Sequence, residues 1–153
     1  MIPVTIHPAA AQDLPEVHRM LIGLAAHHGD VATITPQALA RLALNAPQAR
    51  LLVACVDDSP ARHPVGYALL ILRQNALTGA ASYVIDQLYV QEPFRQQGVA
   101  RALIAAARDL AQGEGRAALV IGAPPANAAA AAACRAMGLT ELPATGPRFA
   151  VAL

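Results

Sequence analysis

The stretch Leu88–Ile104, LYVQEPFRQQGVARALI, changes character at its middle. Its opening residues Leu88, Tyr89 and Val90 are apolar, aromatic and β-branched, as a strand prefers. Glu92-Pro93 breaks that pattern, and from Val99 the apolar residues Val99, Leu103 and Ile104 recur at helical spacing. Arg95 and Gly98 therefore stand where a strand hands over to a helix. At a helix start the first backbone N–H groups lack intrahelical partners, and the helix dipole places partial positive charge there. Phosphate binds such places readily. If RQQGVA is that junction, consecutive amides from Gln96 to Arg101 can converge on a diphosphate; Gly98 lets the backbone approach it, and Arg95 adds charge. A capped surface turn with a solvated arginine is the plainer alternative.

Other phosphate-binding patterns fail more clearly. The chain has no G-x-x-x-x-G-K-[ST] segment, which rules out a P-loop. GEGRAA from Gly113 imitates a dinucleotide fingerprint, but it follows a helical pattern and precedes a strand, the reverse of the order that pyrophosphate binding needs.

Upstream of the junction, Val4 to His7 can form a first strand. Asp13 and Glu16, with Pro15 between them, mark a helix start, and Leu14, Val17, Leu21 and Leu24 continue it to a stop at Gly29. Thr35-Pro36 caps a shorter helix carrying Leu39, Leu42 and Leu44. LLVACV, VGYALLILR and SYVIDQLYV then read as three neighbouring strands in an antiparallel meander, with the Asp57-Asp58 pair in the first hairpin loop. Downstream, a helix is expected from about Gln97 to Ala111, with Val99, Leu103, Ile104, Ala107 and Leu110 on one side. The short strand AALVIG, an alanine-rich helix stopped by Gly138, and two final strands in TELP and RFAVAL complete the chain. The order is β-α-α-β-β-β-α-β-α-β-β, an α/β (α+β) class with a mixed, mostly antiparallel sheet flanked by about four helices. No internal repeat or disordered linker interrupts it.

A chain of 153 residues is expected to be one domain over 1–153. With net charge +1 and 14% charged residues there is no basic stripe, so a nucleic-acid partner is not expected. The mean hydropathy of +0.40 owes much to alanine, and no run of about 18 strongly apolar residues can span a bilayer. The N-terminal residues also lack a basic segment followed by an apolar one, so neither a signal peptide nor a membrane partner is expected, and the expected location is cytoplasmic. Cys55 and Cys134 are isolated from each other and from metal-ligand spacings; Cys55 reads as a small buried hydrophobe, and no metal is expected.

DQLYVQEPFRQQGVARALI resembles the core motif of the GNAT superfamily of acetyl-CoA-dependent N-acetyltransferases, [QR]-x-x-G-x-[GA] after a strand, with Arg95, Gly98 and Ala100 at the defined positions. VIG, Asn127, Ala130 and Gly138-Leu139 are similar to the family's strand-N-x-x-A-helix-G-[FL] segment, and DLPEVHRMLIGLAAHHG looks like its first helix. The likeness covers nearly the whole chain. Within the superfamily, DQLYV is similar to the corresponding strand of the diamine and polyamine acetyltransferases, although AHHGDVAT offers only Asp30 near the expected pocket mouth for a polycation.

The resemblance implies an N-acetyltransferase that uses acetyl-CoA as co-substrate and acetylates a primary amine of a small molecule or peptide. Many relatives form dimers, so a homodimer is one possible assembly. By resemblance, the amides of Gln96, Gln97, Gly98, Val99, Ala100 and Arg101, with Arg95, receive the coenzyme A diphosphate. The backbone of Leu88, Tyr89 and Val90 pairs with the pantetheine arm, and one amide, that of Leu88, polarises the thioester carbonyl as an oxyanion-hole donor does. Asn127 either meets the pantetheine or caps the last helix.

An alkylammonium is mostly protonated at neutral pH, so something must take its proton. Asp86 stands where the family often has a glutamate; it is either a base acting through water or a solvated or salt-bridged surface residue. Cys134 departs from the pattern, occupying the spacing from Asn127 at which a tyrosine commonly protonates the departing thiolate. Its thiol is a substitute acid, or water serves instead, or the helix only packs there. A non-catalytic acyl-CoA-binding module would fit that departure. His27 and His28 either face the substrate pocket or complement the dipole at the end of the first helix.

Overall fold

A computed structural model describes residues 2–56, 62–122 and 128–153. The Asp57-Asp58 pair and Asn127 lie outside the described residues. The chain divides into two compact units, Met1–Gly122 and Ala123–Leu153.

The first unit is built on a five-stranded sheet in the order β1 (Val4–Pro8), β2 (Ala49–Val56), β3 (Pro64–Gln74), β4 (Ala81–Val90), β5 (Leu119–Ile121). Neighbours from β1 to β4 pair antiparallel, the expected meander, and β4 pairs parallel with β5 after the crossover through helix α3 (Val99–Gly113). Continuous burial along Leu51–Cys55 and Pro64–Leu70 shows that the centre of the sheet is covered on both faces. Helix α1 (Leu14–His27) and the short α2 (Pro36–Ala40) cover one face. There Leu14, Val17, Met20 and Leu39 join Leu51, Val53, Cys55, Tyr67 and Leu69 in one core, so Cys55 is the buried hydrophobe its neighbours foretold. Helix α3 covers the other face with Val99, Leu103, Ile104 and Ala107 buried, while Leu110 is only half-buried.

Local signals explain most boundaries. Thr35 Oγ1 accepts from Ala38 N at 3.1 Å, and Pro36 occupies the first turn of α2. Residues Arg41–Asn45 continue α2 as a π-type turn that the pattern of leucines does not distinguish from an α-helix. Gly29 (φ +71°) terminates α1 in the left-handed region. Asp13 behaves differently from the expected N-cap. A 3₁₀ turn at Ala11–Asp13 starts the segment one turn early, and the Asp13 carboxylate reaches back to accept from Ala10 N and from Arg62 Nη2, both at 2.8 Å. Asp13 is fully buried, and that ion pair accompanies its charge into the interior.

The second unit contains helix α4 (Ala128–Ala136), closed by Gly138 at φ +84° with Leu139 N donating to Cys134 O at 3.1 Å. The two expected final strands do not form among the described residues. TELP and RFAVAL are irregular and exposed, with Phe149 91% accessible. Pro143, Gly146 and Pro147 interrupt the segment, and alternation of apolar residues makes no strand without a neighbour to pair with.

Candidate active site

The site begins at an irregularity in β4. Leu69 on β3 pairs with Gln87 and Leu70 with Ile85, so Asp86 is an extra residue without a cross-strand partner, a β-bulge. The parallel pairing of β4 with β5 covers Tyr83, Val84 and Ile85 and ends there. From the bulge onward β4 pairs, among the described residues, with β3 alone. Gln91 N donates to Val65 O at 2.9 Å, which fixes the alternation of the ladder: Tyr89 and Gln91 direct their backbone groups to β3, whereas those of Leu88 and Val90 point to the opened side. Val90 O is accordingly met by a side chain, Arg95 Nε, at 2.8 Å.

The strand then turns through a 3₁₀ segment at Glu92–Phe94, with Pro93 preventing any continuation of the ladder. Arg95 is extended, Gln96 has φ 61° and Gly98 has φ 86°. A left-handed non-glycine residue is uncommon and costs energy, and such conformations gather at functional sites. Alternating the sign of φ turns successive N–H groups to one side, the nest geometry that receives anions. Gly98 is the N-cap of α3, so the amides of Val99, Ala100 and Arg101 have no acceptor within the helix; Ala102 N, donating to Gly98 O at 3.0 Å, is the first that has one.

Strand end, turn and helix start enclose a cleft of about 320 Å³. Leu88 and Val90 line it from β4, Phe94, Arg95, Gln96 and Gly98 from the turn, and Val99, Ala100 and Arg101 from the helix. Nearly all the residues expected around a diphosphate and pantetheine are thus brought together. Tyr89 and Gln97 are not in the lining. Tyr89 projects to the α1 face, and the Gln97 side chain is turned back, its Nε2 donating to Pro93 O at 3.0 Å, while the Gln97 backbone carbonyl accepts from Ile2 N at 3.3 Å. Phe94 was not anticipated, and nothing in its spacing separates it from an ordinary turn residue.

On the α1 side of β4, Tyr67 donates from its hydroxyl to Gln87 Oε1 at 3.0 Å. Burial, and after it the neighbouring Tyr89 and Asp86, push the Tyr67 phenol above its usual range, so it stays a proton donor. Asp86 is exposed beside this group, and none of the ion pairs among the described residues includes it. Further along the same face Glu16 accepts from Gln91 Nε2 at 2.7 Å and pairs with Arg19. These polar partners of β4 had no signal in the sequence beyond their place in strands and the first helix. Cys134 is half-buried on α4 in the second unit. His27 and His28 are exposed at the end of α1, their rings edge to face at 5.6 Å.

Comparison with known proteins identifies the family and the fold. A family model described as Acetyltransferase (GNAT) family matches residues 21–139. An aminoglycoside acetyltransferase from an uncultured soil metagenomic sample, solved in complex with sisomicin, has a similar structure: TM-score 0.81, 17% identity, 97% of each chain covered. So do a ribosomal-protein-alanine N-acetyltransferase from Brucella melitensis biovar Abortus 2308 (TM-score 0.73, 23% identity, 96% of this chain and 100% of that one) and a Trypanosoma brucei acetyltransferase (TM-score 0.73, 18% identity, 99% and 100%). Comparison with curated protein sequences gives no significant match. At these identities the solved structures speak for the fold, whereas the family model spans most of the chain: the protein belongs to the acetyltransferase (GNAT) family, whose members generally take an acetyl group from acetyl-CoA.

Proposed function

We propose that the protein transfers an acetyl group from acetyl-CoA directly to a primary amine of a small molecule or peptide. The observation that carries this reading is the opening of β4 from β5 at the Asp86 bulge, followed through the turn at residues 91–98 by the amide-lined start of α3. Bound along that path, acetyl-CoA supplies an activated acyl carbonyl. The amides of Gln96 and of Gly98, Val99, Ala100 and Arg101, with the Arg95 guanidinium, hold the diphosphate, and the outward backbone groups of Leu88 and the N–H of Val90 hold the pantetheine arm. Leu88 N–H donates to the carbonyl oxygen as negative charge develops on it.

Asp86, exposed at the bulge, accepts through water the proton that the substrate ammonium loses, and the neutral amine so formed attacks the thioester carbonyl. When the C–N bond has formed and the C–S bond breaks, the leaving thiolate takes a proton, for which the Cys134 thiol and water are the candidate donors. Asn127 is a further candidate contact of the pantetheine arm. The names of two structural relatives, an aminoglycoside acetyltransferase and a ribosomal-protein-alanine N-acetyltransferase, support an amine acceptor and span a small molecule and a protein.

The test is release of free thiol from acetyl-CoA in the presence of polyamines, amino acids, aminoglycosides and peptide N-termini, with coenzyme A binding followed separately by calorimetry. Amine-dependent thiol release is expected. Coenzyme A binding with silence across all four classes would favour a non-catalytic acyl-CoA-binding module, the reading that the cysteine at position 134 invites.

A further inference from the structure

We propose that Tyr89 is a positioning residue for Arg95 in the coenzyme cleft, and that Gly23 on helix α1 sets where Tyr89 can stand. The inference rests on the cleft being the coenzyme A site.

Arg95 lines the cleft, yet it is an exposed side chain of the kind that ordinarily samples many rotamers. Two contacts restrain it from behind. Its Nε donates to Val90 O at 2.8 Å, and its guanidinium carbon lies 5.3 Å from the centroid of the Tyr89 ring, within cation–π range. The hydrogen bond uses Nε of the guanidinium. The Nη groups are the donors that remain to be offered to a phosphate.

Tyr89 is held in turn from two other directions. The Tyr67 ring lies 6.3 Å away, tilted by 37°. A Cβ placed on Gly23 would stand 2.9 Å from Tyr89 Oη and 3.5 Å from Cζ. Gly23 sits inside α1 and is not among the glycines with positive φ, so the helix backbone does not require a glycine there. A glycine inside a helix is unfavourable relative to alanine. The room it leaves for the Tyr89 hydroxyl is what the structure gives in return. A line of contact therefore runs from α1 through the Tyr89 ring to the arginine at the coenzyme cleft.

Calorimetric titration of the full chain with coenzyme A tests this. Y89L and G23A should each weaken binding about two- to fivefold, the range expected from loss of one exposed cation–π contact. G23A/Y89F should bind more tightly than G23A, because the atom in the way has been removed. In an R95A background, Y89L should make no further difference. Melting temperatures verify folding, and the G23A arm is independent should Y89L not fold. The proposal is overturned if Y89L and G23A bind as the parent does, if Y89L weakens binding equally with and without Arg95, or if Y89F fails to relieve G23A. A parent protein indifferent to millimolar coenzyme A would remove the reading of the cleft and this inference together, whereas a parent that binds while Tyr89 and Arg95 show no coupling removes the inference alone.

Discussion

Tyr67 ties one buried hydroxyl to both stability and the site. Its phenol is held above the ordinary range chiefly by burial, and burial, followed by the hydrogen bond to Glu114, shifts Tyr83 in the same direction. A tyrosine in the unfolded chain titrates near pH 10. Because the folded-state value is higher, the unfolded state loses its proton first; the contribution is therefore fully present below about pH 10 and is lost as pH rises toward the folded value. Urea unfolding followed from about pH 8 to 11 should show falling stability, with a slope of at most about 1.4 kcal/mol per pH unit for each tyrosine. Y67F should flatten that dependence while costing about 1 kcal/mol at neutral pH, since Gln87 Oε1 loses its donor. Asp86, at the edge of the same group, has a different expected signature. D86N should lower kcat/KM for the amine by about 10²- to 10⁴-fold, the usual contribution of a positioned base, with coenzyme A affinity kept. A D86N enzyme as fast as the parent would hand the proton to bulk water.

At the level of elements, the strand-to-helix junction was legible because each of its residues obeys a local rule. Pro93 ends the strand, Gly98 caps the helix, and Val99, Leu103, Ile104 and Ala107 repeat at the spacing of a buried face. The bulge at Asp86 was not legible, since one inserted residue leaves SYVIDQLYV as apolar as a regular strand; only the pairing with β3 reveals it. The turn of Tyr89 away from the cleft follows from the same register. Gly98 itself makes a sharp expectation. Its φ of 86° is a conformation that a Cβ disfavours, by about 1–2 kcal/mol. G98A should therefore lower stability by roughly that amount in chemical denaturation, and it should weaken coenzyme A binding by more than about tenfold, because relaxing φ at the cap re-aims the amides on both sides of it. If affinity fell no further than stability, the amides would not be the ligand-binding groups.

Over the whole molecule, the antiparallel meander of β2, β3 and β4 and the helices on the two faces followed from the alternation of segments, while the end of the chain did not. RFAVAL has the period of a half-buried strand, but period alone says which face would be apolar, not what it would rest on. In the structure Phe149, Val151 and Leu153 are all exposed, and no helix among the described residues is long and apolar enough to cross a membrane. A segment outside any ladder opens at almost no free-energy cost, whereas amides in the pairing of β2, β3 and β4 exchange only when that central sheet opens. Hydrogen–deuterium exchange of the full chain should thus label residues 140–153 at the earliest times and leave Leu51–Cys55 and Val65–Leu70 protected the longest. Repeating the labelling over a range of protein concentrations separates two origins for any slowing at the tail. Protection that grows with concentration would place Phe149, Val151 and Leu153 in a contact between two copies, and protection independent of concentration would mean that the alternating segment finds its ladder within one chain.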